Sequence, residues 1–342
     1  MPKLSDRDLQ HVTAAIEPLW RDLEGARLFV TGGTGFFGVW LLETFQAACD
    51  RLGVNAEVVV LTRNRAAFEA KAPHLAPRVR SVEGDVRTFA FPGGDFPFVI
   101  HAATEASATL NEQRPREMFS SIVQGTERVL EFAQEARARR LLLVSSGAVY
   151  GRQPERITHL DEDFPGGPVT TDPRSAYGEG KRAAELLCAM STVPAVIARC
   201  FAFVGPHLPL DRHFAIGNFI GDALAGRTIR VRGDGTPLRS YLYAADLAIW
   251  LWTILFRGAL LRPYNVGSDA AVSVGRLAQI VAETVNPAPA VEVAGAADPA
   301  TPVERYVPST VRARTELGLA QSVDLGDAIA RTIDWHRRSK SP

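Results

Sequence analysis

The sequence predicts an α/β protein: a doubly wound parallel sheet followed by a smaller C-terminal substrate-binding lobe. Apolar strand-like runs alternate with longer helical segments through residue 204, which is the pattern of a parallel sheet covered by helices on both faces. Further along the chain the alternation weakens, and short pieces with many turns dominate. We therefore expect a helical extension over residues 1–25, a sheet domain over 26–204 to which later segments return, and the smaller lobe over 205–342.

The individual elements follow from residue periodicity. Ser5 and Asp8 resemble a helix capping box, and Leu9 and Val12 lie at helical spacing, so an amphipathic helix should precede the first strand. Residues 151–175 are rich in Pro, Gly, Thr and Asp, which indicates a long surface loop over the active site. Short apolar runs predict strands, and longer periodic runs predict helices. The strands are 27–31, 56–61, 79–83, 97–101, 140–145 and 195–200, and the helices are 39–48, 117–136 and 175–189.

The composition argues against several classes of partner. The 38 basic and 38 acidic side chains cancel, so no net field attracts nucleic acid or an anionic membrane. Cys49, Cys188 and Cys200 are far apart, which argues against a disulfide framework or a zinc site. The apolar run 247–256 is too short to cross a bilayer, and the charged first 25 residues do not resemble a secretory signal. We expect a cytoplasmic protein without a metal site.

A glycine-rich turn follows the first predicted strand. Its spacing is G-x-x-G-x-x-G, through Gly32, Gly35 and Gly38, and a predicted helix follows directly. Glycines let the backbone approach a pyrophosphate, and the start of the helix supplies N–H donors and a favourable dipole. An ordinary tight turn would also contain glycines, but the strand before it and the helix after it favour a dinucleotide site. We predict NAD(P) contacts at the three glycines and at Phe36 and Phe37.

The residues after the second strand bear on the choice between NAD and NADP. Arg63 stands where a carboxylate normally accepts hydrogen bonds from the adenosine ribose. A guanidinium pairs instead with a 2′-phosphate, so Arg63 favours NADP, unless it is a solvated side chain or stacks on adenine. Asp85, followed by Val86, is a candidate contact for the adenine amino group. Ala102 and Ala103 are small residues where a ribose and a pyrophosphate must pass.

Ser146, Tyr177 and Lys181 form the candidate catalytic group. Ser146 ends a predicted strand, while Tyr177 and Lys181 lie four residues apart on one face of a predicted helix. A carbon bearing a hydroxyl can lose hydride to a nicotinamide only if the hydroxyl proton also leaves, and a tyrosine of pKa about 10 is a poor base at neutral pH. A Lys181 ammonium and the cofactor charge would both favour the phenolate. We expect Ser146 to hold the reacting oxygen and both helix residues to contact the cofactor.

These motifs together resemble the extended short-chain dehydrogenase/reductase family, which contains nucleotide-sugar epimerases, dehydratases, decarboxylases and reductases. The resemblance covers roughly residues 27–319. It implies a Rossmann-type fold, NAD(P) as cofactor and a sugar nucleotide as substrate. It also implies a homodimer through the predicted helices 117–136 and 175–189. The motifs that carry it are 31–38, 101–104, 145–151, 177–181, 201–206 and 233–246.

The resemblance also assigns individual residues. It implies that Tyr177 is the acid/base beside Ser146 and Lys181, and it adds Thr104 to the cofactor contacts. It places Asn218, Arg239 and Arg305 near the substrate diphosphate, which suits guanidinium groups because they bind phosphate through paired hydrogen bonds. The alternative for Arg239 is an ion pair with Asp234 or Asp246 that stabilises the lobe.

The reaction depends on where the sequence departs from the family. Dehydratases of the family carry Asp and Glu after the catalytic Ser or Thr, and its decarboxylases usually retain the Glu. Here Gly147 and Ala148 stand at these positions and cannot transfer protons. Their small size should also leave room for a rotating intermediate. We therefore rank an epimerase first, acting at C4 through a transient 4-keto sugar.

Other reactions stay open. An NADPH-dependent 4-keto-sugar reductase comes second because of Arg63, and a 4,6-dehydratase or decarboxylase comes third. A protein that binds NADP as a sensor without turnover is the alternative from another class. The presence of Ser146, Tyr177 and Lys181 argues against it, because a sensor has no need of a base.

Overall fold

The computed structural model describes residues 2–103, 108–211, 214–298 and 300–340. Up to residue 146 its elements alternate as predicted. The helices there are α1 (Asp6–Ala15), α2 (Glu17–Trp20), α3 (Phe36–Leu52), α4 (Arg65–Lys71), α5 (Ala108–Gln113) and α6 (Pro115–Glu135). The strands there are β1 (Arg27–Thr31), β2 (Glu57–Thr62), β3 (Arg80–Glu83), β4 (Phe98–His101) and β5 (Arg140–Ser146).

The rest of the chain contains longer helices and mostly short strands. The helices are α7 (Ala176–Met190), α8 (Ala215–Leu224), α9 (Ala244–Arg257), α10 (Val274–Glu283), α11 (Val311–Leu317) and α12 (Leu325–Lys340). The strands are β6 (Ala195–Cys200), β7 (Phe203–Val204), β8 (Ile229–Val231), β9 (Leu238–Arg239), β10 (Leu242–Tyr243), β11 (Pro263–Val266), β12 (Val272–Ser273), β13 (Val291–Val293) and β14 (Arg305–Tyr306).

The central sheet confirms the predicted fold class. Within the described part of the chain it contains seven strands in the order β3-β2-β1-β4-β5-β6-β11, and every neighbouring pair is parallel. The order reverses between β1 and β4, because the chain first builds outward to β3 and then returns to the other side of β1. Ligands of such sheets bind at the carboxyl ends of the strands beside this reversal. The smaller sheets are β7–β10, β12–β9–β14 and β8–β13.

An apolar core lies on each face of the sheet. In β1, Leu28 and Val30 face one core while Phe29 faces the other, as expected because successive strand side chains point to opposite faces. The first core also contains Trp40 of α3 and the tryptophans of α9. The second contains apolar residues of α6 and α7. Both faces are therefore covered, which explains why the strands are continuous apolar runs.

The N-terminal helix is anchored to the end of the chain. Ser5 Oγ accepts a hydrogen bond from the Asp8 backbone N–H at 3.1 Å, which confirms the predicted cap. The Asp8 carboxylate is buried and accepts hydrogen bonds from Arg331 Nη1 at 2.8 Å and from Tyr243 Oη at 2.9 Å. A buried carboxylate is costly unless it is paired in this way. Asp8 thus joins α1 to α12 and β10.

Part of the C-terminal half packs with the sheet domain. Strand β11 pairs with β6 at the edge of the central sheet, and helix α9 is buried from Ala244 to Phe256. The apolar run 247–256 therefore lies in a buried core helix. No helix in the described ranges is long and apolar enough to span a membrane. The division of the chain at residue 204 into two functional lobes stays a prediction.

Candidate active site

The turn between β1 and α3 is shaped by close backbone contacts. Gly32 has a φ of +74°, and a Cβ atom there would lie 2.5 Å from the Ala102 carbonyl oxygen. A Cβ atom at Gly38 would overlap the backbone of Gly32 and Gly33. Gly35 is the N-cap of α3, so the first N–H groups of that helix have no intrahelical acceptor. The turn therefore fits a pyrophosphate, with Phe36 and Phe37 in the first turn of the helix.

The end of β4 is tied to the same turn. The Ala102 N–H donates to the Thr31 carbonyl oxygen at 3.2 Å, and the Ala103 N–H donates to Thr31 Oγ1 at 3.1 Å. The next predicted contact, Thr104, lies outside the described residues. The loop after β4 therefore begins directly beside Gly32, as a shared cofactor site requires.

Charged residues surround the predicted adenosine end of the cofactor site. Arg63 is exposed directly after β2. Asp85 accepts hydrogen bonds from Arg87 Nε at 2.7 Å and Nη2 at 2.9 Å, and this pairing lowers the pKa of the Asp85 carboxyl. If Asp85 contacts adenine as predicted, its carboxylate would bind adenine and Arg87 at the same time. Val86 packs against Gly125, where a Cβ atom would lie 2.9 Å from Val86 Cγ1.

A second cation near the glycine turn was not predicted. Lys71 lies at the end of α4 and donates from Nζ to the Thr34 carbonyl oxygen at 2.5 Å. The sequence offers no signal for this contact, because Lys71 is 37 residues from Thr34 and matches no motif. Together with Arg63 it places positive charge beside the turn that is predicted to bind phosphate.

Ser146 and Tyr177 meet at the carboxyl end of β5. Ser146 Oγ accepts a hydrogen bond from the Ala148 N–H at 3.1 Å and so begins a helical turn over Gly147–Tyr150. Helix α7 packs closely on this turn, because a Cβ atom at Gly178 would lie 2.7 Å from the Ala148 carbonyl oxygen. The glycine next to Tyr177 therefore allows the phenol to come near the Ser146 hydroxyl, which lowers the pKa of Tyr177 against the larger effect of burial.

Burial changes the proton affinity of the catalytic candidates. Lys181 is only 4% exposed, and its Nζ donates to the Val144 carbonyl oxygen at 2.7 Å. Burial lowers the pKa of Lys181 to about 8. Burial also raises the pKa of Tyr177, and the hydrogen bond with Ser146 opposes this rise. The expected lowering of the Tyr177 pKa is therefore not found in the protein alone.

A buried polar network contacts β5, the strand that ends at Ser146. Ser145 Oγ donates to Glu185 Oε1 at 2.5 Å, and the Glu185 carboxylate pairs with Arg199 at 2.7 Å. Arg199 Nη1 then donates to Tyr150 Oη at 2.9 Å, and Tyr150 donates to Asn265 Oδ1 at 2.7 Å. These links connect β5, α7, β6 and β11, so they restrict how Ser146 and Tyr177 move relative to each other.

The sequence analysis missed Tyr306. Its phenol reaches the catalytic turn: a Cβ atom at Gly147 would lie 2.6 Å from Tyr306 Oη and 2.8 Å from Phe201 Cζ. The Ser146 hydroxyl is also near enough to Tyr306 to lower the pKa of its phenol against the larger effect of burial. The expectation of free space beside Gly147 is therefore wrong, because Tyr306 and Phe201 fill it. The only sequence signal was that Tyr306 directly follows Arg305.

The three predicted diphosphate contacts lie in different surroundings. Asn218 is half-buried in α8. Arg239 forms an ion pair with Glu304 at 2.5 Å rather than with Asp234 or Asp246, the two partners that the sequence suggested. The Arg305 Nε is buried and has no hydrogen-bond partner among the described residues.

Strand register separates the two arginines. Strands β9 and β14 run parallel, with Tyr306 opposite Arg239 and Arg305 opposite Leu238. Because neighbouring strand residues alternate between faces, Arg239 shares a face with Tyr306 and Arg305 points to the other face. Their predicted contacts with the substrate stay predictions. In the ranges that the structure covers, no cluster of three or more His, Cys, Asp or Glu side chains could hold a metal ion.

Comparison with known proteins identifies the family. The model of the NAD-dependent epimerase/dehydratase family matches residues 28–267. The chain belongs to this family. Membership confirms the resemblance stated above, and it makes the chain an enzyme of the epimerase/dehydratase type with an NAD-type cofactor.

Similar proteins include several decarboxylases. UDP-glucuronic acid decarboxylase 1 of Arabidopsis thaliana is 29% identical over 322 residues, which cover 91% of this chain and 70% of that protein. Decarboxylase 6 of the same plant is 30% identical over 76% of this chain and 75% of that protein. Decarboxylase 2 is 31% identical over 79% of this chain but only 59% of that protein.

Solved structures with this fold belong to enzymes that are named for different reactions. A UDP-glucose 4-epimerase of Thermotoga maritima has a TM-score of 0.76 and 18% identity over 92% of this chain and 100% of that chain. The dTDP-glucose 4,6-dehydratase DesIV of Streptomyces venezuelae, solved with NAD bound, has a TM-score of 0.74 and 26% identity over 92% and 98%. These similarities support the fold and do not select one reaction.

His101 predicts a pH dependence of stability. It is 5% exposed, with Nδ1 2.8 Å from Thr31 Oγ1 and Nε2 3.2 Å from Thr126 Oγ1. Burial, aided by the Lys181 charge, lowers the pKa of His101 to about 3. The unfolded chain, with a histidine pKa of about 6.5, therefore binds a proton first as pH falls. Stability should decrease below about pH 6.5, by up to about 1.4 kcal/mol per pH unit from this residue.

Urea unfolding at pH 7, 6 and 5 measures this effect. In His101→Asn the free energy of unfolding should fall less steeply with decreasing pH than in the wild type, whatever its value at pH 7. Equal slopes for the two proteins would show that His101 does not carry the pH dependence.

Proposed function

We propose that the chain is an NAD(P)-dependent epimerase acting at C4 of a sugar carried on a nucleotide diphosphate. The observation that carries the proposal is the Tyr177 phenol, which lies near the Ser146 hydroxyl at the carboxyl end of β5, with Gly147 and Ala148 following Ser146 in the chain. This site can move a hydroxyl proton. It has no carboxylate at the two positions where elimination in this family requires one.

Ser146, Tyr177 and Lys181 each have a separate role in the proposed reaction. Ser146 holds the reacting oxygen, and Tyr177 removes its proton and later returns it. Lys181, held by the Val144 carbonyl oxygen, lies one helical turn after Tyr177. When bound, the oxidised cofactor supplies the hydride acceptor and a positive charge that favours the phenolate. That charge offsets the burial that raises the pKa of Tyr177.

Two other reactions have specific support. The curated relatives named above are decarboxylases of UDP-glucuronic acid, which favours a nucleotide uronic acid as an alternative substrate. The cation at Arg63 favours NADPH and therefore a net 4-keto-sugar reductase. We rank both below the epimerase, because Ala148 lacks the carboxylate of the family's decarboxylases and because an epimerase needs only the groups that Ser146 and Tyr177 provide.

Substitution of Tyr177 tests the proposal. Tyr177→Phe should abolish turnover because it removes the only oxygen assigned to proton transfer, while NAD(P)H binding measured by cofactor fluorescence should persist. The wild type is incubated with UDP-, dTDP-, CDP- and GDP-sugars, including UDP-glucuronic acid, and products are resolved by NMR. An inverted C4 without net cofactor use supports the epimerase.

The same assay separates the alternatives. Stoichiometric NADPH consumption would indicate a reductase, and release of carbon dioxide with a pentose product would indicate a decarboxylase. No conversion of any sugar, with retained cofactor binding, would favour a sensor. Retained activity in Tyr177→Phe would refute its role as the acid/base.

We also propose that NADP(H) is preferred over NAD(H). Arg63 follows β2 and lies close enough to Asp85 to lower the pKa of that carboxyl, so its charge is at the adenosine end of the site. Arg63→Ala should weaken NADPH binding about 10-fold, since a charged hydrogen bond contributes about 1.5–3 kcal/mol, and leave NADH binding unchanged. Arg65→Ala, which breaks an exposed pair with Glu69, is the control. Tighter NADH than NADPH binding by the wild type would contradict the preference.

We propose a homodimer through α6 and α7. Phe119 is 40% exposed on α6, and Leu186 and Met190 are 59% and 67% exposed on α7. Val129 and Leu130 of α6 are buried in the core on the sheet side of the helix. Light scattering should give a dimer mass for the wild type and a monomer mass for Leu186→Asp with Met190→Asp. A monomeric wild type would contradict the proposal.

A further inference from the structure

Tyr306 is held rigidly over the catalytic turn. It lies on β14, whose register places it beside Arg239. The next residue, Val307, donates its N–H to Gln153 Oε1 at 3.0 Å, and its carbonyl oxygen accepts from the Leu160 N–H at 2.9 Å. The Tyr306 ring packs on Phe201 with ring centroids 4.7 Å apart. The backbone on both sides of the phenol is therefore fixed.

The hydroxyl of Tyr306 occupies a defined volume. A side chain at position 147 would begin 2.6 Å from Tyr306 Oη, which no real Cβ atom tolerates. The hydroxyl therefore lies in the volume that a side chain at position 147 would need. The Ser146 hydroxyl is near enough to both phenols to lower the pKa of Tyr306 and of Tyr177 against the larger effect of burial, so three hydroxyl groups lie together at the end of β5.

We propose that Tyr306 is a further catalytic residue, whose phenol donates a hydrogen bond to the reacting sugar oxygen together with Ser146. The proposal rests on the proposed function, since it concerns the same oxygen that Tyr177 deprotonates. A carbonyl oxygen has two lone pairs. As the C–O bond gains double-bond character, Tyr177 can bond one lone pair, and the pair of Tyr306 and Ser146 can bond the other.

Burial raises the pKa of both phenols, so the charges around them decide which one transfers the proton. The pKa of Tyr306 is raised mainly by burial and also by the neighbouring Tyr177, so Tyr306 stays protonated and acts as a donor. Two phenolates side by side would repel each other, so only one of the two can ionise readily. Tyr177, beside Lys181 on the same helix, is the one that transfers the proton.

The proposal explains why glycine stands at position 147. Any side chain there would push away the Tyr306 hydroxyl and the Phe201 ring. Gly147 and Tyr306 therefore act as a pair: the missing side chain of one provides the space for the hydroxyl of the other. Gly147→Ala should displace the phenol and reduce kcat in the same way as loss of the hydroxyl.

Tyr306→Phe tests the proposal because it removes the hydroxyl and keeps the ring. We expect kcat to fall about 100-fold, in line with loss of one donor to a developing carbonyl oxygen, while KM and cofactor fluorescence change little. Tyr241→Phe is the matched control, because it removes a buried phenol two residues after Arg239 and outside the Ser146 group. It should retain wild-type kcat. Wild-type kcat in Tyr306→Phe would overturn the proposal.

A double-mutant cycle separates catalysis from simple packing. If Ser146 and Tyr306 share one donor role, Ser146→Ala with Tyr306→Phe should lower kcat by less than the product of the single effects. Multiplicative effects would overturn the shared role.

The wild type, the two single variants Ser146→Ala and Tyr306→Phe, and the double variant are also compared by thermal unfolding without ligand. Non-additive changes in Tm support the hydrogen bond between the two hydroxyls, and additive changes overturn it. If the wild type converts no sugar, the proposed function fails on its own, and the unfolding cycle still decides whether Tyr306 and Ser146 are paired.

Discussion

The close approach of the β1–α3 turn to the end of β4 is the constraint on which the site depends. Gly32 lies against the Ala102 carbonyl group with a left-handed backbone, and Gly38 lies against the turn itself. No side chain fits at either position, so the N-terminus of α3 comes directly over the reversal point of the sheet. Free N–H groups and the helix dipole are thereby aimed at one crevice. All proposed chemistry takes place next to it.

The proposed catalytic residues Ser146 and Tyr177 are positioned by a buried ion pair as well as by apolar packing. The Glu185–Arg199 pair sits between the strand that bears Ser146 and the helix that bears Tyr177. A buried ion pair is costly to desolvate and adds little net stability while both partners are present. Removing one partner, however, leaves the other charge buried and unpaired. Its effect here is positional: it joins β5, β6 and α7 through contacts with directional geometry.

The family similarity and the site chemistry point in partly different directions. The curated relatives described above are decarboxylases, yet the two residues after Ser146 are Gly147 and Ala148. At position 147, Tyr306 and Phe201 fill the volume that a side chain would need. Burial raises the pKa of the Tyr306 phenol, so this hydroxyl stays protonated. Such a site is suited to stabilising a ketone.

The sequence alone predicted strands β1 to β6 of the central sheet, the glycine turn and the helix cap at Ser5, because each depends on residues within a few positions of one another; it did not predict β11, the sheet's edge strand. It also indicated Ser146, Tyr177 and Lys181 by their spacing. Only the tertiary structure decided the ion pair of Arg239 with Glu304, the contact of Lys71 with Thr34, and the place of Tyr306. These contacts join residues far apart in the chain, and no local periodicity encodes which distant partner a side chain meets.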